Sequence, residues 1–484
     1  MAGGARRGAS RLAWLDALRG FAALCVVFDH GTSLVLRPLH AYLYHWLNFG
    51  QYGVFVFFLV SGYIIPASLE RKGSIRGFWI SRAFRLYPLY LIAIAIAVVA
   101  YELGYGTLGG GQHHPLEAVA SWLLMIPNLL SGPNVPNVTW TLSYEMVFYL
   151  LLAALFSVRA HRHSGGYAIT CGIVVLAVGG ILPMAALDHG HGLLVAREVD
   201  LAVDALIIAA IAASVSGSGR GGPARRLLPI GGAWLAALTG LFLVSVNQDN
   251  YPDPWSGYVI LGFMFTGTLI YRAEQGQVSR ARAAVITVTV LALMLAGGLW
   301  HGAQHPSLGT ASTTWRWQWV TSLAGAMATV GIGLALRNRR VPRALAWLGM
   351  ISYSVYLLHP LVLNAFRNVR ALHDASTSLV VQIPLAIGLF MTVIGVSAVT
   401  YYVVEKPMQA LGRNVARRWE GAGPAQPNTA SAGAGTGPAS GQLDAAVAGA
   451  ATDAPAGGAS ARDVEAAPSA PISSPVAGGS GGSP

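Results

Sequence analysis

The sequence predicts an all-α, polytopic transmembrane helix bundle of about 10–12 spans with both termini in the cytoplasm. Three observations predict it. Apolar residues make up 54% of the 484 positions and charged residues 11%, with a mean hydropathy of +0.53. Apolar runs long enough to cross about 30 Å of hydrocarbon recur along the first 400 residues. Lys and Arg fall between those runs in an alternation that one membrane orientation explains.

Taken in order, the runs lie near 12–34, 50–69, 86–102, 138–157, 168–187, 200–215, 229–246, 257–271, 283–300, 317–336, 345–366 and 380–404, twelve in all. The first follows Arg6, Arg7 and Arg11 as a signal peptide would. It is interrupted by charge and lacks a small-residue cleavage site, so it reads as an uncleaved span behind a cytoplasmic N-terminus, residues 1–11. With that end inside, 24 Lys and Arg face the cytoplasm, against Arg37, Arg197, Arg316, Arg367 and Arg370 on the opposite side. The apolar piece from Val119 to Leu130 would reverse every later loop if it crossed, so it is expected to be re-entrant or interfacial. The membrane domain runs over 12–410. Residues 421–484 are rich in Ala, Gly, Pro and Ser, cannot build a core, and are expected to form a disordered cytoplasmic tail.

The net charge of +11 could suggest a nucleic-acid partner, but membrane topology accounts for the basic residues and no nucleic acid is expected. Cys25 and Cys171 sit in apolar runs without ligand-like spacing. The pairs His113 with His114, His161 with His163, and His189 with His191 have no fixed third ligand, so no metal is expected. No GxSxG elbow, HExxH helix, P-loop or strand-linked GxGxxG occurs. No internal repeat is found either, which weakens the rival reading of a proton-coupled multispan transporter.

The chemistry concentrates in ionisable residues placed where charge is costly. In RLAWLDALRGFAALCVVFDH, Arg19 and His30 are eleven residues apart, on nearly one helical face and about 16 Å along the axis, so they can act on two ends of one long ligand. Arg82 and Arg85 are one turn apart just before the third expected span, with Pro88 suited to a helix start. That makes a phosphate-binding corner, or else a pair of positive-inside anchors. Glu145 and His359 are expected at the depth of His30. A histidine suits deprotonation of an alcohol near neutral pH if a neighbour orients its ring. Glu145 is the choice for that neighbour, and His359, near a span end, is read as part of the wall.

These residues stand in blocks that resemble the acyltransferase-3 family of integral-membrane O-acyltransferases. Arg19 and His30 resemble its Arg-x10-His pair; FFLVSGY at 57–63, Arg82 with Arg85, WTLSYEMVFY at 140–149, ISYSVYLLHP at 351–360, and Glu405 with Pro407 follow in the family's order. The resemblance covers about 11–410 and implies a membrane acyltransferase domain there, in a multi-pass protein of the plasma membrane. It implies His30 as catalytic histidine and Arg19, Arg82 and Arg85 as the hold on acyl-CoA, most often acetyl-CoA. Ser61 and Tyr353, inside matched blocks, join His359 as expected pocket wall. The acceptor implied is a hydroxyl on a glycan, a lipid-linked sugar or a natural product. About ten core spans are usual in the family, so twelve implies additional helices between 168 and 246.

Overall fold

The computed structural model describes residues 2–105, 115–130, 133–180, 197–215, 223–246, 254–304, 313–367 and 378–421. Among them there is no β-strand. Each of the twelve expected spans overlaps a helix among the described residues: α1 (Ala2–Val35), α3 (Phe49–Lys72), α4 (Ile75–Glu102), α6 (Trp140–Ser157), α7 (Ser164–Gly180), α8 (Arg197–Val215), α9 (Pro223–Val246), α10 (Pro254–Glu274), α11 (Arg280–Gln304), α12 (Thr313–Leu336), α13 (Arg343–Arg367) and α14 (Leu379–Thr400). Short helices α2 (Arg37–Tyr44) and α5 (Pro115–Leu124) and a final helix α15 (Lys406–Gly421) complete the order. Among the described residues, nine helical stretches are long and apolar enough to cross a membrane. The chain therefore forms a multispanning all-α bundle. The expected tail over 421–484 lies outside the described residues from 422 onwards, as do His113, His114, His189 and His191.

Local sequence sets the helix ends. Asn48 caps α3 by accepting the Gln51 N–H at 2.8 Å, and Gly73 ends that helix at φ 62°, a left-handed value that glycine adopts without a Cβ penalty. Ser74 then caps α4 through the Gly77 N–H at 3.2 Å. This start lies eleven residues ahead of the expected one. Arg82, Arg85 and Pro88 are consequently inside α4, and no helix N-terminus stands beside the two arginines. The sequence argument failed here because charges near a span are read as a boundary, whereas these point into protein instead of lipid. α5 is ten residues long, about 15 Å, half the hydrocarbon thickness. It turns at Met125 (φ 57°) and delivers the chain to α6 from within the bundle, with Asn128, Val138 and Thr139 all buried.

Two glycine crossings bring the helices of the site together. α1 and α13 run side by side in the same direction, touching where a Cβ on Gly349 would sit 2.0 Å from the Asp16 carbonyl oxygen and a Cβ on Gly20 2.7 Å from the Gly349 nitrogen. Ten residues further on, both helices present a histidine to the other. α3 crosses α10 equally closely, with Gly62 against Met264 O and Gly267 against Leu59 O. The Thr268 hydroxyl donates to Gly62 O at 2.9 Å across that contact. Beyond it, Glu70 ties α3 to Arg272 of α10 and, at 3.3 Å, to His161, while Arg337, just past the end of α12, pairs with Glu274 at 2.6 Å.

Gly349→Val is expected to destabilise the bundle by about 3 kcal/mol or more, because the clash is with backbone and no side chain can turn aside. Gly388→Ala, where a Cβ meets nothing within 4 Å, should leave the midpoint of thermal unfolding in detergent almost unmoved. Equal midpoints for the two variants would contradict the close-packed crossing.

Candidate active site

α1 and α3 lie antiparallel, and one stripe of each faces the other. On α1 the stripe reads Arg19, Ala22, Ala23, Val26 and His30; on α3 it reads Gly50, Val54, Phe57 and Ser61. These are i, i+3/i+4 spacings, so each set stays on one face over three turns. α6 and α13 close the seam between them. Three hollows follow one another along it: about 240 Å³ beside His30, about 10 Å³ in the middle, and about 20 Å³ beside Arg19. The first two share Val26, Val54 and Tyr356 as walls, and the last two share Phe57.

At the histidine end, His30 Nδ1 lies 3.0 Å from Nε2 of His359, and Nδ1 of His359 lies 3.2 Å from the carbonyl oxygen of Val355. A carbonyl only accepts, so His359 carries its proton on Nδ1. With its one ring proton there, the fully buried His359 presents Nε2 as an acceptor. His30 must then donate through Nδ1–H, and its Nε2 keeps the free lone pair. A histidine here takes the place a carboxylate often has, holding one tautomer and orientation of the His30 ring. The hollow that His30 borders is lined by Asp29, Asn48 and Gln51 and by the aromatic rings of Tyr44, Trp140 and Trp319. Asp29 is held by His40 at 3.6 Å.

At the other end, Arg19, Arg82, Arg85, Ser61, Glu145 and Tyr353 border the same small hollow. α4 contributes two of the three arginines, α1 the third, and Tyr353 is fixed by donating to Leu86 O at 2.9 Å. Arg82 is 6% exposed and its guanidinium lies 5.4 Å from the Phe78 ring and 5.3 Å from the Tyr149 ring. Arg19 lies 5.8 Å from the Phe57 ring. Among the described residues none of the three arginines forms an ion pair, and Nε of Arg82, though buried, has no hydrogen-bond partner. Glu145 is engaged elsewhere, accepting from the Tyr149 hydroxyl at 2.5 Å. Glu405, in the π-helical turn Tyr401–Glu405, is buried and accepts from Ser354. Glu145 lines the same hollow, and Asp16 and Glu405 are close enough to act on Arg19, so carboxylates stand near the guanidiniums without forming an ion pair with them.

The structure therefore gathers the three arginines with Ser61 and Tyr353 and pairs His30 with His359. It does not place Glu145 beside His30. α6 begins already inside the bundle, so Val138 and Trp140 are level with His30 and Glu145 has descended to the arginines. His359 is not wall but the partner of the His30 ring. Sequence reasoning missed Phe57, Thr141 and Tyr356 as lining of the seam. Phe57 and Tyr356 lie within the two quoted aromatic blocks, but apolar and aromatic residues in a span give no signal of which way they face. Among the described residues no group of three His, Cys, Asp or Glu side chains is arranged to hold a metal ion.

A polytopic apolar bundle with a histidine pair at one end of an internal seam and guanidiniums at the other is an integral-membrane protein with ionisable groups held among its helices. The acyltransferase-3 profile, an acyltransferase domain, matches residues 12–402, and the chain belongs to that family. It is 37% identical over 149 residues to the acyltransferase MdmB of Streptomyces mycarofaciens, covering 29% of this chain and 38% of that protein. It is 30% identical over 172 residues to nodulation protein 10 of Rhizobium leguminosarum bv. viciae, covering 32% and 47%. With the putative peptidoglycan O-acetyltransferase YrhL of Bacillus subtilis it shares 28% identity over 152 residues, 28% and 22% of the two chains. The chain thus matches less than half the length of each of these relatives. No solved structure matches it.

Proposed function

We propose that this protein is a membrane O-acyltransferase that moves an acyl group, most readily acetyl, from acyl-CoA to a hydroxyl of a carbohydrate, lipid-linked sugar or natural product. The observation that carries this reading is the seam joining three unpaired guanidiniums to a histidine with a fixed free lone pair. The rise from Arg19 to His30 is about 16 Å, the scale of an extended pantetheine arm.

The arginine end faces the cytoplasm in this reading, as the distribution of Lys and Arg favours, with both termini on that side and the protein in the plasma membrane. Phosphate oxygens of the donor pair with Arg82 and Arg85, and the arm passes Arg19 towards His30. The acceptor hydroxyl enters the roomier hollow at the histidine end, where rings and amide or carboxylate groups suit a polyhydroxylated ligand. His30 Nε2 takes the hydroxyl proton while the oxygen attacks the thioester carbonyl. The C–S bond breaks, an ester remains, and the thiolate takes the proton back from the imidazolium. A two-step route, in which Nε2 first accepts the acyl group, uses the same geometry. His359 holds the ring throughout.

Protein reconstituted in lipid and supplied with labelled acetyl-CoA and a panel of sugars and other alcohols should form a labelled ester. Solute flux across the bilayer with no ester product would instead establish the transporter reading. Arg82→Met is expected to raise KM for acyl-CoA by about 10- to 100-fold, the worth of a lost charge-assisted contact, with a smaller change in kcat. An unchanged KM would remove Arg82 from the donor site.

A further inference from the structure

The middle of the seam is a constriction of about 10 Å³, room for a single water molecule. Its walls differ in their freedom to move. Gly53 of α3 lies against α1 so closely that a Cβ there would meet the Ala22 carbonyl oxygen at 2.6 Å, so on that side backbone forms the wall and cannot retreat. The Tyr356 ring is moored by its hydroxyl, which accepts from Thr141 Oγ1 at 3.0 Å and reaches the Val138 carbonyl oxygen at 3.4 Å. Phe57 has no such mooring. Its ring stacks on Tyr356 at 6.1 Å and 10°, is half-buried, and borders both the constriction and the arginine hollow. Of the two large side chains lining the constriction, it is the one held by ring contacts without a hydrogen bond.

A thioester whose phosphates are held at the arginine end advances with its acyl group leading. That group meets Phe57 and Tyr356 before it meets His30. We propose that the Phe57–Tyr356 pair is a width filter that sets donor specificity, passing acetyl and straight acyl chains and excluding acyl groups branched or cyclic at the carbon next to the carbonyl. The proposal rests on the acyl-CoA reading above and adds to it a determinant of which acyl group is used. Length is not what the constriction tests, because a straight chain presents the same cross-section at every methylene.

The test needs no knowledge of the acceptor, since water can serve as one. It gives its proton to His30, its oxygen attacks the carbonyl carbon, the C–S bond breaks and CoA thiol leaves with the returned proton, with a carboxylic acid as the other product. Thiol release is measured for protein in lipid nanodiscs given acetyl-, butyryl-, isobutyryl- or benzoyl-CoA, with the rate of His30→Ala subtracted. The unaltered protein should release thiol from acetyl- and butyryl-CoA at least about tenfold faster than from isobutyryl- or benzoyl-CoA. Isobutyryl-CoA should still inhibit acetyl-CoA turnover competitively, because its phosphates dock normally.

Phe57→Leu and, more strongly, Phe57→Ala should raise the isobutyryl-to-acetyl ratio by about tenfold, with little change in the butyryl-to-acetyl ratio. Equal rates for isobutyryl- and acetyl-CoA in the unaltered protein would overturn the filter without recourse to any variant. So would an unchanged ratio in a folded Phe57 variant that keeps His30-dependent acetyl release. Absence of His30-dependent release from every thioester, together with absence of labelled ester, would instead bring down the acyl-CoA reading and the filter with it.

Discussion

His30→Ala is expected to lower acyl transfer by about 10³-fold or more, since it removes the imidazole proposed as the base and any acyl-carrying nitrogen with it. The measurement is ester formation from labelled acetyl-CoA in membranes that carry equal amounts of the two proteins. Turnover equal to that of the unaltered protein would put the base elsewhere. The loss should sit in kcat, with KM for the donor within a few-fold, because Arg19, which shares the proposed donor end with Arg82 and Arg85, lies about 16 Å from His30 along α1.

The second large effect belongs to a residue that touches neither substrate. His359→Phe keeps an aromatic ring at a fully buried position but removes the acceptor of the His30 Nδ1–H. The His30 ring is then free to exchange tautomers and rotate, and the expected fall in kcat is about 10²- to 10⁴-fold, as for other bases deprived of an orienting partner. A packing role alone would be satisfied by Phe. An orienting role predicts partial rescue by His359→Asn or His359→Gln, whose side-chain carbonyl can accept the same hydrogen bond, and a shift of the pH–rate profile in His359→Phe. Full activity of His359→Phe would show that the imidazole pair has no part in catalysis.

Both predictions concern a pair that was only half visible in the sequence. Arg19 and His30 could be assigned to one face of one helix because eleven residues return to the same azimuth, a property of helix geometry alone. Arg82 with Arg85 was likewise a local feature of a single helix, although its helix begins well ahead of where charge density suggested. Glu145 shows the limit. Its depth was counted from an assumed membrane edge at residue 138, and the segment that precedes α6 enters the bundle before the helix starts, so the count began at the wrong level. Depth by itself also says nothing about which helices are neighbours. The α1–α13 pairing depends on Gly20 meeting Gly349, and in a chain with 58 glycines nothing marks those two in advance.

The sequence by itself determined a multispanning helical bundle, the approximate extent of its helices, and the family, because hydropathy, loop charge and motif spacing are read within a single stretch of chain. Only the tertiary structure decided that His359 lies against His30, that Glu145 sits among the arginines, and that Phe57 and Tyr356 stack between the two ends. Those facts depend on the rotation of each helix about its axis and on the close approach of glycines far apart in sequence. Such contacts are set by packing against partners that no local pattern names.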